Sequence, residues 1–425
     1  MRIVIILGIL LILLSLRFFF FYSNKPLYKD KEKISFETVL LSDSRTTGKY
    51  QTIIANLPYG DKVFITAPVF PKYSYGEKIK ISGPVKTLRF NGTSTQKVGV
   101  ISGNQTVFTM FFPKIERVEG ASIESGLAIT SFVRQRTSSL FNSVLPQTSS
   151  SLLLGIVFGI KEDMPAKLKK DLQISGVYHV VAASGMNVSM VGAFMSVLFA
   201  MFFKRQIALF FTIISLIFYA LLAGLDPPIL RASIMGIAAF CAQILGRQTL
   251  ASYSLFLAGY SMLFVSPHLL FDVGFQLSFI STLGLLYIKP LFAPLSGVKK
   301  ETFVISDVST TISAQIATLP ILLAVFGTYS LWSVVINALV LWTIPILMIF
   351  GGLGAILGLI FAPLGSIFLY LALPFLLWFE KIVSFSQDLG GSINLSSIPW
   401  QIVIGYYLVI LAIVIFIQRR RKAKV

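Results

Sequence analysis

Hydrophobic positions along this chain follow three successive patterns. Residues 3–21 form one apolar run behind Arg2. A run of that length reaches across a bilayer. Its flank, Phe18-Phe-Phe-Phe-Tyr-Ser-Asn-Lys25, offers no small-residue cleavage site, which predicts an uncleaved anchor with its amino terminus inside rather than a signal peptide. Residues 24–117 alternate instead, in Lys62-Val-Phe-Ile-Thr66, Glu77-Lys-Ile-Lys-Ile-Ser82 and Thr106-Val-Phe-Thr-Met-Phe111. Turn signals at Pro58-Tyr-Gly60, Tyr75-Gly76, Ser82-Gly-Pro84 and Asn91-Gly92 separate these runs. Period two with regular breakers predicts a small all-β domain, and roughly five or six strands over this length fit an OB-like barrel. From residue 120 the period lengthens.

Residues 120–145 set Leu127, Ile129, Phe132, Val133, Leu140 and Phe141 among Arg134, Gln135 and Arg136, up to Pro146. That pattern predicts an amphipathic helix of the kind that lies in a membrane interface. Leu152–Ile160 is too short to span, Lys161-Glu-Asp-Met-Pro165 reads as a turn, and Lys167–Asp171 as one exposed helical turn. The remainder is nearly continuous apolar sequence. Spans are expected at 177–203, 206–224, 229–246, 249–266, 272–292, 307–326, 331–361, 365–386 and 399–417. The 331–361 stretch is long for one helix, and Pro345 with Gly351, Gly352, Gly354 and Gly358 are its candidate breaks.

Composition agrees with this division. The 425 residues are 55% hydrophobic and 13% charged, with a mean hydropathy of +0.81. A soluble domain carries about twice that charged fraction. The chain therefore reads as a polytopic α-helical membrane protein with a small N-terminal extracytoplasmic all-β (OB-like) domain. Its segments are an anchor over 1–23, the β domain over 24–117, an amphipathic connector over 118–176, a multi-span domain over 177–417 and a basic tail over 418–425.

Charge sets the expected orientation. The tail Gln418-Arg-Arg-Arg-Lys-Ala-Lys424, Lys204-Arg205, Arg247 and Lys299-Lys300 alternate with the Asp226-Pro-Pro228 and Ser266-Pro-His268 loops. Under the positive-inside rule the basic loops and the tail are cytoplasmic and the β domain is outside. The net charge is +18, and the β domain alone holds 15 Lys and Arg against 7 acids. Such a face is either merely solvated or attracts phosphates, with Tyr73, Tyr75 or Phe90 as stacking platforms. The lone Cys241 cannot form an intramolecular disulfide, and two histidines with no Cys/His cluster give no zinc pattern. No Walker loop, HExxH or CxxC is present, so neither ATP-driven pumping nor metalloprotease chemistry has a motif here. No cofactor is expected.

Polar residues within the apolar runs are the candidate chemistry. Gly176-Val-Tyr-His-Val-Val-Ala-Ala-Ser-Gly-Met-Asn187 places His179, Ser184 and Asn187 at the start of a span. There they either brace helices or line a wet cavity. Arg231 follows Asp226-Pro-Pro-Ile-Leu, and it is either a snorkelling anchor, with Asp226 as a plausible ion-pair partner, or a phosphate contact. His268 and Asp272 are four apart, on one face if helical, with Gln276 a turn further on. That pair is either a helix cap or a proton relay. Gln276 and Ser278, Gln315, and Asn337 carry the same choice between interhelical hydrogen bonding and a polar wall. Glu380 has its neighbour Lys381 or the interface as expected partner. His179 and Ser184 are five apart, a poor helical spacing for a nucleophile–base contact, and no third member is evident.

The Gly176–Asn187 block resembles the "GlxHllAxSGxxv" signature of the ComEC competence family. Further similarity runs in order along the chain. It includes Leu221-Leu-Ala-Gly224 with Pro228-Ile-Leu-Arg-Ala-Ser-Ile-Met235, then Gly246-Arg247, Ser266-Pro267 and Asp272-Val-Gly-Phe-Gln-Leu-Ser-Phe279. Ala314-Gln-Ile-Ala-Thr-Leu-Pro320, Phe326-Gly327, Ser330 and Asn337 continue it. The resemblance implies an inner-membrane channel subunit that passes single-stranded DNA during uptake, with the β domain receiving the strand. By that implication His179, Ser184, Asn187, Arg231, Asp272, Gln276, Gln315 and Asn337 are candidates for the DNA path. Many members carry a metallo-β-lactamase-like domain; this chain runs out at Val425 without a histidine-rich motif. No enzymatic activity is therefore expected of it. A separate nuclease, a DNA receptor and a cytoplasmic motor are the implied partners beside the lipid bilayer, with homo-oligomerisation left open. Two other readings compete: a membrane-embedded hydrolase or transferase using His179 and Ser184 on an envelope precursor, and a non-catalytic scaffold.

Overall fold

The computed structural model describes residues 2–24, 28–47, 49–89, 106–118, 125–161, 164–181, 184–292, 303–326, 328–330, 332–388, 392–394 and 399–422. The turn at Asn91-Gly92, Phe90, Ala182-Ala183, Lys299-Lys300, Gly327 and the last tail residues lie outside them.

Strands begin once the chain leaves the first helix, α1 (Arg2–Ser23). They are β1 (Lys33–Val39), β2 (Arg45–Thr47), β3 (Tyr50–Asn56), β4 (Lys62–Pro68), β5 (Lys78–Pro84), β6 (Lys86–Arg89), β7 (Thr106–Phe111) and β8 (Lys114–Arg117). Among the described residues the five or six strands read from the alternation are divided into eight segments, because long runs bend. β5 passes into β6 at Val85, and β7 into β8 at Phe112-Pro113. The pairings close on themselves. β2 pairs β3, β3 pairs β4, β4 runs parallel to β7, β7 pairs β6, and β5 links β8 to β1. Counting β1–β2, β5–β6 and β7–β8 as bent single strands, this is a five-stranded Greek-key circuit, the OB-like order. Alternate residues fill it: Ile53 and Ala55 of β3, Val63, Ile65 and Ala67 of β4, Ile79 and Ile81 of β5 are all buried.

The helices that follow are α2 (Ser125–Val144), α3 (Gln147–Phe158), α4 (Ala166–Ile174), α5 (Tyr178–Val181), α6 (Gly185–Ala200), α7 (Arg205–Leu222), α8 (Pro227–Ile244) and α9 (Ala251–Val265). A 3-10 turn over Pro267–Phe271 leads into α10 (Val273–Tyr287), α11 (Lys289–Phe292) and α12 (Phe303–Phe326). Then come α13 (Ser333–Val340), α14 (Thr343–Ile360), α15 (Ala362–Asp388) and α16 (Trp400–Lys422), with short strands β9 (Thr328–Ser330) and β10 (Ser392–Asn394) paired antiparallel. Among the described residues, seven helices are long and apolar enough to cross a membrane: α7, α8, α10 with α11, α12, α14, α15 and α16. The described apolar stretches of α1, α3, α6 and α9 are shorter.

Two expected spans are broken. The 177–203 run holds α5, to Val181, and α6, from Gly185, with Ser184 extended ahead of it. The 331–361 run divides into α13 and α14 at Leu341-Trp342, ahead of Pro345. Pro345 sits in the first turn of α14, where its missing N–H costs nothing. Gly351, Gly354 and Gly358 serve packing instead, whereas Gly352 meets open space; a Cβ on Gly365 would lie 2.5 Å from the Cα of Gly358, so α14 and α15 cross backbone to backbone.

One face of the connector packs into the main helical core, while Ile129 and Phe132 on α2 stay exposed. Phe141 of α2, nearly all of α3, and Leu168 and Leu172 of α4 pack with α14 and α15 around Leu347, Leu369, Leu376 and Phe379. The expected exposed turn at 167–171 is thus half-buried. Smaller clusters hold α6 to α7 and α8, and α10 to α12 and α16.

The barrel sits on one end of this body. Tyr75 donates to the Leu221 carbonyl at the end of α7. Arg134 of α2 stacks over the Tyr75 ring at 4.4 Å, donates to Leu222 O at 2.8 Å and approaches Asp43 at 3.5 Å. Burial pushes the Tyr75 phenol up, which keeps it a donor. Lys62 meets Asp272 at 3.5 Å, and the Pro58–Gly60 turn packs on His268.

Candidate functional site

The break between α5 and α6 is anchored by the last turn of α3. A helix end leaves its final carbonyls without intrahelical donors. Gly159, with φ 70°, turns the chain back so that its N–H reaches Gly155 O. The next two carbonyls are satisfied from other helices. Asn187 Nδ2 donates to Ile156 O at 2.7 Å, and Tyr219 Oη of α7 donates to Val157 O at 3.0 Å. Asn187 is fully buried, and its Oδ1 accepts from Ser184 Oγ at 3.2 Å. Asn187 is therefore a brace with its polar atoms engaged.

Beside this brace three sequence motifs converge. Gly185 opens α6 immediately against Arg231, five residues into α8, and a Cβ on Gly185 would stand 2.7 Å from the guanidinium. Arg231 also donates to Ser278 O on α10 at 2.9 Å. Its Nε is buried without a hydrogen-bond partner, and no acid pairs with it among the described residues. The expected partner Asp226 is engaged elsewhere, with Lys161 at 3.1 Å, so the ion pair foreseen for Arg231 is not the one formed. The site lies about 6 Å along α8 from the end that carries the barrel. Ser184 precedes Gly185 in extended conformation and leaves the first α6 N–H groups without a side-chain cap. A half-buried cation at an uncapped helix start is an arrangement suited to an anion.

The remaining candidates are dispersed. Asp272 caps α10, its Oδ1 accepting from Phe275 N–H at 3.0 Å, so the capping alternative holds. His268 lies in the 3-10 turn and Asp272 is extended, so the two do not share a helix face. Gln276 donates to Leu270 O at 2.9 Å, closing the same corner. Gln315 of α12 donates to Ser333 Oγ of α13 at 2.9 Å, and Asn337 is buried on α13 with its Oδ1 unpartnered. His179 Nδ1 pairs with Gly176 O at 3.0 Å, whereas Ser184 pairs with Asn187. No hydrogen bond joins His179 to Ser184, and the nucleophile–base pair of a hydrolase is not assembled. Glu380 accepts from Ser149 Oγ at 2.7 Å, a partner on α3 rather than Lys381.

The barrel face differs from the expectation as well. Tyr73 and Tyr75 are buried, at 5% and 1% exposure, and cannot stack on a ligand. Tyr50, Phe70, Phe111 and Phe112 are exposed instead, Tyr50 and Phe112 meeting edge to face at 5.4 Å.

A family model described as Competence protein matches residues 156–420. The chain belongs to this family. The matched range opens at Ile156, whose carbonyl Asn187 holds, and takes in Gly185, Arg231 and Ser278; the barrel lies before it. The resemblance carried by the motifs is thereby shown. ComE operon protein 3 of Bacillus subtilis (strain 168) is 26% identical over 260 residues, 60% of this chain and 32% of that protein. An uncharacterized protein of Aquifex aeolicus (strain VF5) is 26% identical over 204 residues, 45% of this chain and 48% of that protein. The chain spans less than half the length of either relative. No solved structure matches it.

Sequence reasoning missed Arg134, taken for the polar side of an amphipathic helix. Thr130, Arg134, Thr137 and Phe141 follow a 4-3-4 spacing, and all are buried. Three of the four are polar, so no apolar stripe marks this face in the sequence, and Arg134 is identified as inward-facing by its contacts alone.

Proposed function

We propose that this chain passes single-stranded DNA across the membrane during competence, with the barrel outside and the basic tail in the cytoplasm. The observation that carries the reading is Arg231, a membrane-embedded cation without an acid partner among the described residues, set against Gly185 beneath the barrel. An arginine in an apolar helix is costly and marks a functional path. One phosphate contact among uncharged hydrogen-bonding groups guides a polyanion without trapping it. The barrel's excess of basic residues supports its role as receiver, with Tyr50, Phe70, Phe111 and Phe112 as base-stacking platforms in place of Tyr73 and Tyr75. A separate nuclease, a DNA receptor and a cytoplasmic motor complete the proposed route. Entry of labelled DNA, measured with protein abundance, tests the reading. Arg231→Gln lowers entry about tenfold or more, the scale of one lost charge-assisted hydrogen bond, while Arg231→Lys retains part of it. Normal entry in Arg231→Gln at normal abundance overturns the assignment.

A further inference from the structure

At the end of the bundle away from the barrel, the α6–α7 and α8–α9 connections enclose a polar cleft. Arg205, Gln243, Gly246, Arg247, Gln248 and Thr249 line this cavity of about 490 Å³. Helices α7 and α8 have 18 residues each. At about 1.5 Å per residue they set the cleft about 27 Å from the Leu221–Asp226 corner beneath the barrel, close to the thickness of a hydrocarbon layer. The cleft is therefore at a membrane boundary.

Neither Arg205 nor Arg247 has an acidic partner among the described residues. Two guanidinium forks with amide and hydroxyl donors between them match the oxygens of a phosphate. The surroundings narrow the source of that phosphate. Phe202, Leu245, Leu250 and Tyr253 are 72%, 73%, 62% and 65% exposed, and Phe203 is exposed beside them. A free anion gains nothing from this apolar rim, whereas a lipid lays its chains on it. Basic pockets between helices at a membrane boundary are head-group sites by the same physics.

We infer that this cleft binds the phosphate head group of an anionic phospholipid, with the acyl chains running along Leu245, Leu250 and Phe203. The inference holds for either orientation of the bundle, so its test stands apart from the translocation reading. Native mass spectrometry of the full-length protein, released from micelles with defined additives, reads it directly. Phosphatidylglycerol stays bound through delipidation where phosphatidylcholine does not. Replacing both arginines, Arg205→Gln with Arg247→Gln, lowers phosphatidylglycerol occupancy about tenfold, as expected from two boundary cations. Should the double variant lose its monodisperse form, Arg247→Gln alone, in an exposed loop, lowers occupancy by a smaller factor at unchanged stability. Equal retention of the two lipids, or occupancy unchanged in the variants, overturns the site. Displacement of the lipid by inorganic phosphate alone makes it a free-anion site, and displacement by a short single-stranded oligonucleotide makes it a strand contact; either result also overturns the lipid assignment.

Discussion

Asn187 gives its amide to Ile156 and its oxygen to Ser184, whereas Arg231 leaves Nε buried and unpartnered. Both are polar residues in apolar helices, and their variants should fail differently. Asn187→Leu strands a buried carbonyl, at a cost of about 1–3 kcal/mol. We expect a lower melting temperature and lower abundance, with DNA entry falling only in proportion to the protein present. Gly185→Ala acts the other way. Its new Cβ displaces the Arg231 guanidinium, at the expense of no more than its bond to Ser278 O, and leaves the Asn187 brace intact. Abundance should stay near normal while entry falls as it does in Arg231→Gln. Melting curves and quantitative uptake on the same strains separate the two outcomes, and Gly185→Ala with unimpaired entry would show that the guanidinium position is irrelevant.

At the scale of elements, α2 couples the barrel to the bundle through Arg134. Arg134→Leu removes the contacts to Leu222 O, Asp43 and the Tyr75 ring together. Hydrogen exchange should quicken at 40–44 and 73–77 while the paired cores of β3 and β4 remain protected, because the barrel keeps its own buried interior. Loss of protection throughout the barrel would instead make the seam part of its folding unit. How far this organisation was legible follows from the same elements. Helices such as α7, α8 and α16 were readable because eighteen-residue stretches that are mostly apolar, with at most two charges, permit little else. The start of α6 at Gly185 was not, since no proline precedes it, and the bond from Asn187 to Ile156 O that holds its first turn is distant in sequence. Pro345 misled for the opposite reason, a breaker by type that lies harmlessly in a first turn. Tyr73 and Tyr75 were assigned to the surface because the β4–β5 connection reads as a turn, and the contacts of Tyr75 with Leu221 and Arg134 are distant in sequence.

For the whole molecule, the geometry gives two opposite ends. The barrel rests on the Leu221 and Asp272 corners, and the Arg205–Arg247 cleft lies at the far ends of the same helices. If the basic end is cytoplasmic, as the positive-inside rule requires, the barrel is outside. Single cysteines test this on the intact protein. Cys241 is exposed on α8 and is first replaced by serine. Phe70→Cys then reports on the barrel, where Phe70 is 82% exposed, and Gln248→Cys on the cleft. A membrane-impermeant maleimide should label Phe70→Cys in cells whose inner membrane is intact. Gln248→Cys should react only after that membrane is opened. Labelling of both in intact cells would mean that the two ends share a side, and the helices between them would not be crossing as their length allows. Labelling of Gln248→Cys alone would invert the protein, put the barrel in the cytoplasm, and remove it as the receiver of incoming DNA.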